Sequence, residues 1–167
     1  MFRDPQIILG IDPGYGRVGY GLIRKESSSL FYVTAGCIET NKQHTPSQRL
    51  HAIYTKLDTL IADEKPHMLA LEQLFFAKNA KTALRVAETR GVLLLLSEEH
   101  TLPLREFTPP QVKMATCGYG KADKVQIQNM IMRIFKLSSP PKPDDAADAL
   151  AIAVTAAYTK DWRNLTY

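Results

Sequence analysis

The stretch Gln6-Ile-Ile-Leu-Gly-Ile-Asp12, followed by Pro13-Gly14, decides the fold. Four of its seven residues are large aliphatics, and this density of apolar side chains is typical of a buried strand. The Pro-Gly pair ends the strand in a turn. The stretch therefore predicts a buried strand that carries a carboxylate at its C-terminal end.

The segments that follow this strand predict a chain of mixed α and β structure. Two further strands are separated by the Glu-Ser-Ser-Ser turn at 26–29, a spacing that favours an antiparallel meander. From Pro46 onward, apolar residues recur at intervals of three and four, the period of an amphipathic helix. The elements predicted after the first strand are strands at Val18–Arg24, Leu30–Ile38, His67–Glu72 and Leu104–Phe107, and helices from Pro46 to just before Pro66, at Ala80–Glu99, from Pro109 or Pro110 to Cys117, at Asp123–Phe135 and at Asp144–Ala157.

Length and composition indicate one globular domain over residues 1–167. The chain has 45% hydrophobic residues and a net charge of +4, values that exclude fibrous, disordered and disulfide-scaffold proteins. Its two cysteines, Cys37 and Cys117, have no metal-binding spacing, and we expect both thiols to be reduced. The apolar run Val92–Leu96 is far shorter than the roughly 20 residues of a membrane span. We expect a cytoplasmic protein.

Positive charge is concentrated in the middle of the chain. The segment from Gln73 to Lys136 contains ten basic and five acidic side chains, whereas the rest of the chain is nearly neutral. A basic segment of this kind indicates an anionic partner such as nucleic acid. A mildly basic, solvated surface is the alternative explanation.

Two glycine patterns resemble phosphate-binding motifs, and both lack the required context. Gly14-Tyr-Gly16-Arg-Val-Gly19 has the dinucleotide-binding spacing, but the residues after it predict a strand, whereas the motif needs a helix N-terminus for the pyrophosphate. Gly118-Tyr-Gly120-Lys121 is followed by Ala122 where a P-loop needs Ser or Thr. We therefore predict neither a Rossmann nor a P-loop nucleotide site.

Four acidic residues form the pattern that predicts a catalytic site. Asp12 and Glu72 end two apolar strands, and Asp145 and Asp148 lie three residues apart in the first turn of the last predicted helix. If the strands are neighbours, their acids meet at one edge, and the helix spacing places the two aspartates on one face that can point toward them. Gathered carboxylates repel one another unless cations neutralise them, and Mg²⁺ or Mn²⁺ prefers such ligands. The pattern predicts a two-metal phosphodiesterase site.

Several motifs together resemble the RuvC family of bacterial Holliday junction resolvases. They are Gly10-Ile-Asp-Pro-Gly14, Leu71-Glu-Gln73 with Phe75 and Ala77-Lys-Asn79, Gln111-Val-Lys113, and Asp145-Ala-Ala-Asp-Ala-Leu-Ala151. The resemblance covers about Ile7 to Tyr158. It implies a ribonuclease H-like fold with a mixed five-stranded sheet flanked by helices, a homodimer, Mg²⁺-dependent cutting of a four-way DNA junction, and the branch-migration proteins RuvA and RuvB as partners.

The resemblance also implies roles for individual residues. It identifies Asp12, Glu72, Asp145 and Asp148 as the catalytic, metal-binding acids, although Asp144 is an extra acid beside the family position. Phe75 matches a residue whose ring stacks on an unpaired base near the crossover. Lys113 and Lys124 match lysines that contact phosphates near the scissile bond. Lys121 departs from the small polar residue expected at its position and adds a charge that can strengthen phosphate binding. The spacing of Lys78 and Lys81 is that of one helix face, where we expect them to follow a DNA arm.

Other functions share parts of this pattern. A ribonuclease that acts on RNA or an RNA–DNA hybrid has the same fold and acids. A non-catalytic junction-binding scaffold would retain the basic segment but would not need all four acids.

Overall fold

The computed structural model describes residues 6–73 and 80–159, with side chains from residue 82 in the second range. All predicted helices and strands are present, and their bounds differ from the predicted ones by at most two residues. In chain order they are β1 Gln6–Asp12, β2 Arg17–Glu26, β3 Ser29–Glu39, α1 Pro46–Glu64, β4 Met68–Glu72, α2 Ala80–Glu99, β5 Leu104–Phe107, α3 Pro109–Cys117, α4 Lys124–Phe135 and α5 Asp144–Tyr158.

The five strands form one mixed sheet in the order β3-β2-β1-β4-β5. β1, β2 and β3 pair in antiparallel fashion, which confirms the predicted meander, and β4 and β5 extend the sheet in parallel with β1. Ile11 lies opposite Leu71 in the β1–β4 register. Since parallel neighbours end at the same edge, the chain leaves the sheet at Asp12 and Glu72 side by side. Residues from Arg17 onward form β2 and not a helix, which confirms the rejection of the dinucleotide motif.

Helices cover both faces of the sheet. One apolar cluster joins Leu9, Ile11 and Leu69 of the sheet to the apolar faces of α1 and α2. The other cluster joins the opposite face to α3, α4 and the alanine-rich α5. Most residues of α5 from Ala146 to Ala157 are buried, and this part of the helix consists largely of alanine and aliphatic residues.

Glycines allow α5 to lie directly on the sheet. A Cβ atom on Gly10 would stand 2.2 Å from the carbonyl oxygen of Ala149, and one on Gly19 would stand 2.1 Å from that of Asp145. Both distances are far below van der Waals contact, so a side chain at either position would push the helix away. The close approach brings the first turn of α5 over the ends of β1 and β2.

Side-chain caps fix where α3 and α4 begin. Thr108 and Gln111 form a capping box at the start of α3, immediately after β5, and Asp123 and Gln126 form another at the start of α4. These caps set the positions of Lys113 and Lys124.

Cys37 and Cys117 are both free thiols, as predicted. In the described ranges 6–73 and 80–159, no helix combines the length and the apolar character that crossing a membrane requires.

Candidate active site

Asp12 and Glu72 lie on the face of the sheet that α5 covers. Side chains alternate between the faces of a strand, so Asp12 shares its face with Gly10, over which α5 passes. Glu72 shares its face with Ala70, which packs in the same apolar cluster as α5. The two carboxylates therefore meet beneath the first turn of that helix.

A cavity of about 210 Å³ lies at this point. Three of the predicted acids line it: Asp12, Glu72 and Asp148. Its polar wall also contains Lys113 from α3 and Lys124 from α4, and its apolar wall consists of Pro109, Val112, Ile127, Ala151 and Ile152. The cavity thus combines three carboxylates and two ammonium groups in a partly apolar enclosure.

Asp12 is the acid most strongly affected by its surroundings. Burial raises its pKa to about 7, with the negative charges of Glu72, Asp148 and Asp145 adding to the rise and Lys124 opposing it. The three neighbouring acids are therefore close enough to Asp12 to repel its charge. A cation placed among these carboxylates would remove this repulsion.

The other two acids in the cavity are also affected. Burial and the charge of Asp148 raise the pKa of Glu72, while Lys113 lowers it. Burial raises the pKa of Asp148, while Lys124 lowers it. The Lys124 ammonium lies 3.2 Å from Asp148 Oδ2. In the absence of a metal, this lysine supplies part of the positive charge that the acids require.

Asp145, the fourth predicted acid, does not line the cavity. Its Oδ2 lies 2.9 Å from Nη2 of Arg17, and the two side chains form an ion pair. Asp144, the neighbouring acid, is more exposed and contacts Gln128 and Lys124 at 3.3 and 3.4 Å. Of these two, only Asp145 is among the charges that raise the pKa of Asp12.

Sequence reasoning missed Arg17. The residue begins β2 and follows the glycine-rich loop, and nothing in its local pattern indicates a partner 128 positions away. The only available signal was its location, five residues after Asp12 on the strand paired with β1.

The predicted DNA contacts fall in different places. Lys113 and Lys124 line the cavity, whereas Lys121 is exposed on the loop between α3 and α4. Phe75 and Lys78 lie outside the described residues, and so does the side chain of Lys81.

The donor set suits a divalent cation of the Mg²⁺ type, which prefers carboxylate oxygens. The side chains as they stand do not form a ready-made cluster: among the described residues, no group of three His, Cys, Asp or Glu is arranged to hold a metal ion. Two of the carboxylates instead contact Arg17 and Lys124. The charges of Glu72, Asp148 and Asp145 all act on Asp12, and a divalent cation among these acids would relieve that repulsion.

Comparison with known proteins identifies the family of this chain. The family model of crossover junction endodeoxyribonuclease RuvC matches residues 8–156. The crossover junction endodeoxyribonuclease RuvC of Thermosipho melanesiensis is 49% identical over 146 residues, which cover 87% of this chain and 93% of that protein. The protein of the same name from Desulfitobacterium hafniense is 47% identical over 159 residues, covering 95% and 96%.

A solved structure shows the same architecture. RuvC of T. thermophilus in complex with Holliday junction substrate superposes with a TM-score of 0.87 at 29% identity, over 92% of this chain and 93% of that one. The fold is therefore ribonuclease H-like, as predicted. With the family model matching most of the chain and relatives near half identity, the chain belongs to the RuvC family of crossover junction endodeoxyribonucleases.

Proposed function

We propose that the protein is a divalent-metal-dependent endonuclease that resolves four-way DNA junctions by paired, symmetric nicks during homologous recombination and DNA repair. The observation that carries the proposal is the cavity where Asp12, Glu72 and Asp148 meet at the edge shared by two parallel strands. Family membership and a relative solved with a Holliday junction substrate support it. We assign the activity to a single nuclease domain over residues 1–167, acting in the cytoplasm, the compartment that holds bacterial DNA.

The acids would hold the metal. We propose Mg²⁺, two ions per site, with Mn²⁺ able to substitute. Asp12 would help to hold both ions, because its charge is affected by all three other acids. Glu72 and Asp148 would each help to hold one ion, and Asp145 would complete the set or orient the attacking water. Bound ions of this kind activate water and stabilise the oxygen that leaves phosphorus.

The lysines act on the phosphate. Lys113 and Lys124 line the cavity, where their ammonium groups would contact the scissile phosphate and stabilise the negative charge that develops on it. The oxygen of water bonds to phosphorus, the bond from phosphorus to the 3′ oxygen breaks, and that oxygen takes up a proton. The products are 5′-phosphate and 3′-hydroxyl ends.

The remaining predicted contacts would bind the junction outside the cavity. Lys121 is exposed on the loop between α3 and α4 and would contact the backbone of the strand being cut. For Lys78 and Lys81 we propose phosphate contacts farther along the arm, and for Phe75 stacking on an unpaired base at the crossover.

We propose that the enzyme acts as a homodimer, because two opposed cuts require two sites. An outward stripe on α2 supports the proposal: Leu84 is 64% exposed, Leu95 is 53% exposed, and Gly91 lies between them. Residues 84, 91 and 95 fall on one side of a helix, and a Cβ at Gly91 would meet nothing within 4 Å. Such a stripe allows a second copy of α2 to approach closely. RuvA and RuvB, the branch-migration proteins, are proposed as further partners.

The decisive experiment is a cleavage assay on a branch-migratable four-way junction. An immobile junction, a linear duplex and an RNA–DNA hybrid serve as controls, each with Mg²⁺ and with EDTA. We expect paired symmetric nicks in the mobile junction that require Mg²⁺. The Asp12→Asn variant should lose cleavage while binding the junction at least as well, because it removes a negative charge next to phosphate.

Two outcomes would contradict the proposal. Cleavage of the hybrid without cleavage of the junction would identify a ribonuclease. Tight junction binding without cleavage in either Mg²⁺ or Mn²⁺ would identify a scaffold.

A further inference from the structure

Asp145 differs from the other three acids in its position. It forms an ion pair with Arg17 at 2.9 Å outside the cavity, whereas Asp12, Glu72 and Asp148 line the cavity. The Asp145 side chain is 25% exposed and that of Arg17 is 47% exposed, so the pair lies at the rim of the site. Asp145 therefore has a cationic partner before any metal is bound, as Asp148 has in Lys124.

The fold holds Arg17 in this position. Arg17 lies opposite Glu39 in the β2–β3 register, and its Nε lies 3.5 Å from Oε1 of that residue. Gly19, two residues along β2 on the same face, allows the first turn of α5 to approach and bring Asp145 within reach. Cys37 lies opposite Gly19, with its Sγ 3.9 Å from Oδ2 of Asp145. Glu39 on the neighbouring strand thus positions Arg17, and the close approach of α5 to Gly19 brings Asp145 within its reach.

Asp145 lies in the first turn of α5, three residues before Asp148, which lines the cavity. Residues three apart on a helix are neighbours on its surface, so the Asp145 carboxylate is next to the cavity wall. A divalent cation bound among the cavity acids would offer the Asp145 carboxylate a second positive partner, with twice the charge of the guanidinium. The two cations would then compete for the same oxygens.

We propose that Arg17 is a positioning residue that holds the Asp145 carboxylate at the rim of the site in the metal-free enzyme, so that divalent-cation binding competes with an internal ion pair. This role rests on the metal site proposed above. Arg17 lowers the metal affinity of the free enzyme, and it gives Asp145 a defined orientation while the site is empty of metal.

The test is the affinity for Mn²⁺ without DNA, measured by calorimetry. Arg17→Ala should bind Mn²⁺ about two- to fivefold more tightly than the wild type, the range that a part-exposed ion pair supports. Arg24→Ala is the matched control. Arg24 lies on the same strand, is 45% exposed and is paired with Glu26, but it lies about 23 Å farther along the strand. We expect that control to leave Mn²⁺ affinity unchanged.

A second pair of variants separates competition for Asp145 from a general effect of charge. In an Asp145→Asn background, Arg17→Ala should no longer raise Mn²⁺ affinity, because the shared carboxylate is gone. An equal gain in that background would overturn the proposal, since it would mean that any positive charge near the site opposes the metal.

A crystal structure of the Mn²⁺-loaded protein provides an independent measurement. The distance from Arg17 Nη2 to Asp145 Oδ2 should increase beyond 4 Å, and retention of the 2.9 Å contact beside a bound ion would overturn the proposal. If Arg17→Ala left Mn²⁺ affinity unchanged, the proposed role of Arg17 would be overturned, and the proposed metal site would not be affected. Failure of the wild type to bind Mn²⁺ would overturn the proposed metal site and this role with it.

Discussion

At the scale of single residues, Asp12 destabilises the metal-free protein when it is charged. Its pKa is about 7 in the folded protein against 3.8 as the ordinary value, so the folded state keeps a proton that the unfolded state has already released. The wild type therefore loses stability as pH rises from about 4 to about 7, and the loss is complete above that range. This difference in pKa corresponds to about 4 kcal/mol at most.

We expect Asp12→Asn to remove this loss. In EDTA at pH 8, the variant should be more stable than the wild type by about 2–4 kcal/mol, and the difference should vanish below about pH 3, where the wild-type carboxyl is protonated in both states. Thermal and urea unfolding between about pH 3 and pH 8 would measure it. The control is Asp63→Asn, at an exposed position on α1. A gain that is the same at every pH would contradict this explanation.

The sequence predicted which acids would come together at the site, but it did not predict which basic residues would pair with them. Asp12 and Glu72 end apolar strands, and this is visible in a linear sequence. The contact between Arg17 and Asp145 joins the start of β2 to the start of α5. Its formation depends on how closely α5 approaches Gly19, a distance that no local pattern records.

At the scale of elements, the site depends on the distance between α5 and the sheet. Gly10, Gly19 and Gly21 present bare backbone to this helix, and a Cβ on Gly21 would lie 2.8 Å from the amide nitrogen of Leu150. The helix carries Asp145 and Asp148 in its first turns. A shift of α5 away from the sheet would therefore change core packing and acid placement together.

We expect Gly19→Ala to impair both stability and cleavage. The added Cβ would stand 2.1 Å from the carbonyl oxygen of Asp145, a backbone atom that can move only with its helix. Overpacking of this kind costs about 1–3 kcal/mol, and junction cleavage should fall further than the lost stability explains. Urea unfolding and the nicking assay would measure the two effects.

Gly120→Ala is the matched control for this substitution. Its nearest neighbour would lie at 3.6 Å, ordinary van der Waals contact, so we expect a stability change within about 0.5 kcal/mol. If Gly120→Ala lost as much stability as Gly19→Ala, the cause would be the change in chain flexibility on replacing a glycine. The approach of α5 to the sheet would then not explain the effect.

Elements were predicted better than the contacts between them. Each helix begins at a readable signal, such as Thr45 or Thr108 before a proline, and each buried strand is a short apolar run. β1 and β4 are far apart in the sequence, and their parallel pairing depends on how the helices pack against both faces of the sheet. The sequence therefore indicated that Asp12 and Glu72 would meet only on the condition that their strands are neighbours.

At the scale of the whole molecule, paired cutting requires two copies of the cavity in a fixed relation. Leu84, Gly91 and Leu95 form the outward stripe on α2, while the inward side of the helix, with Leu93 and Leu96, is buried against the sheet. α2 also follows the segment that contains Phe75. A dimer that forms through α2 would therefore set the spacing of both active sites and of both proposed wedge residues.

We expect Leu95→Glu to convert the dimer to a monomer, because it places a charge in the apolar stripe, where it would meet the same charge on the second copy. Sedimentation velocity would measure the mass. On a four-way junction, the monomer should make single, uncorrelated nicks, and the fraction of junctions cut in both strands by one binding event should fall at least tenfold.

Val125→Glu, at a 63% exposed position on α4, should leave the mass unchanged. If Leu95→Glu remained dimeric and still cut both strands, the interface would lie on another surface. If it became monomeric and still cut both strands together, symmetric cleavage would not depend on a dimer.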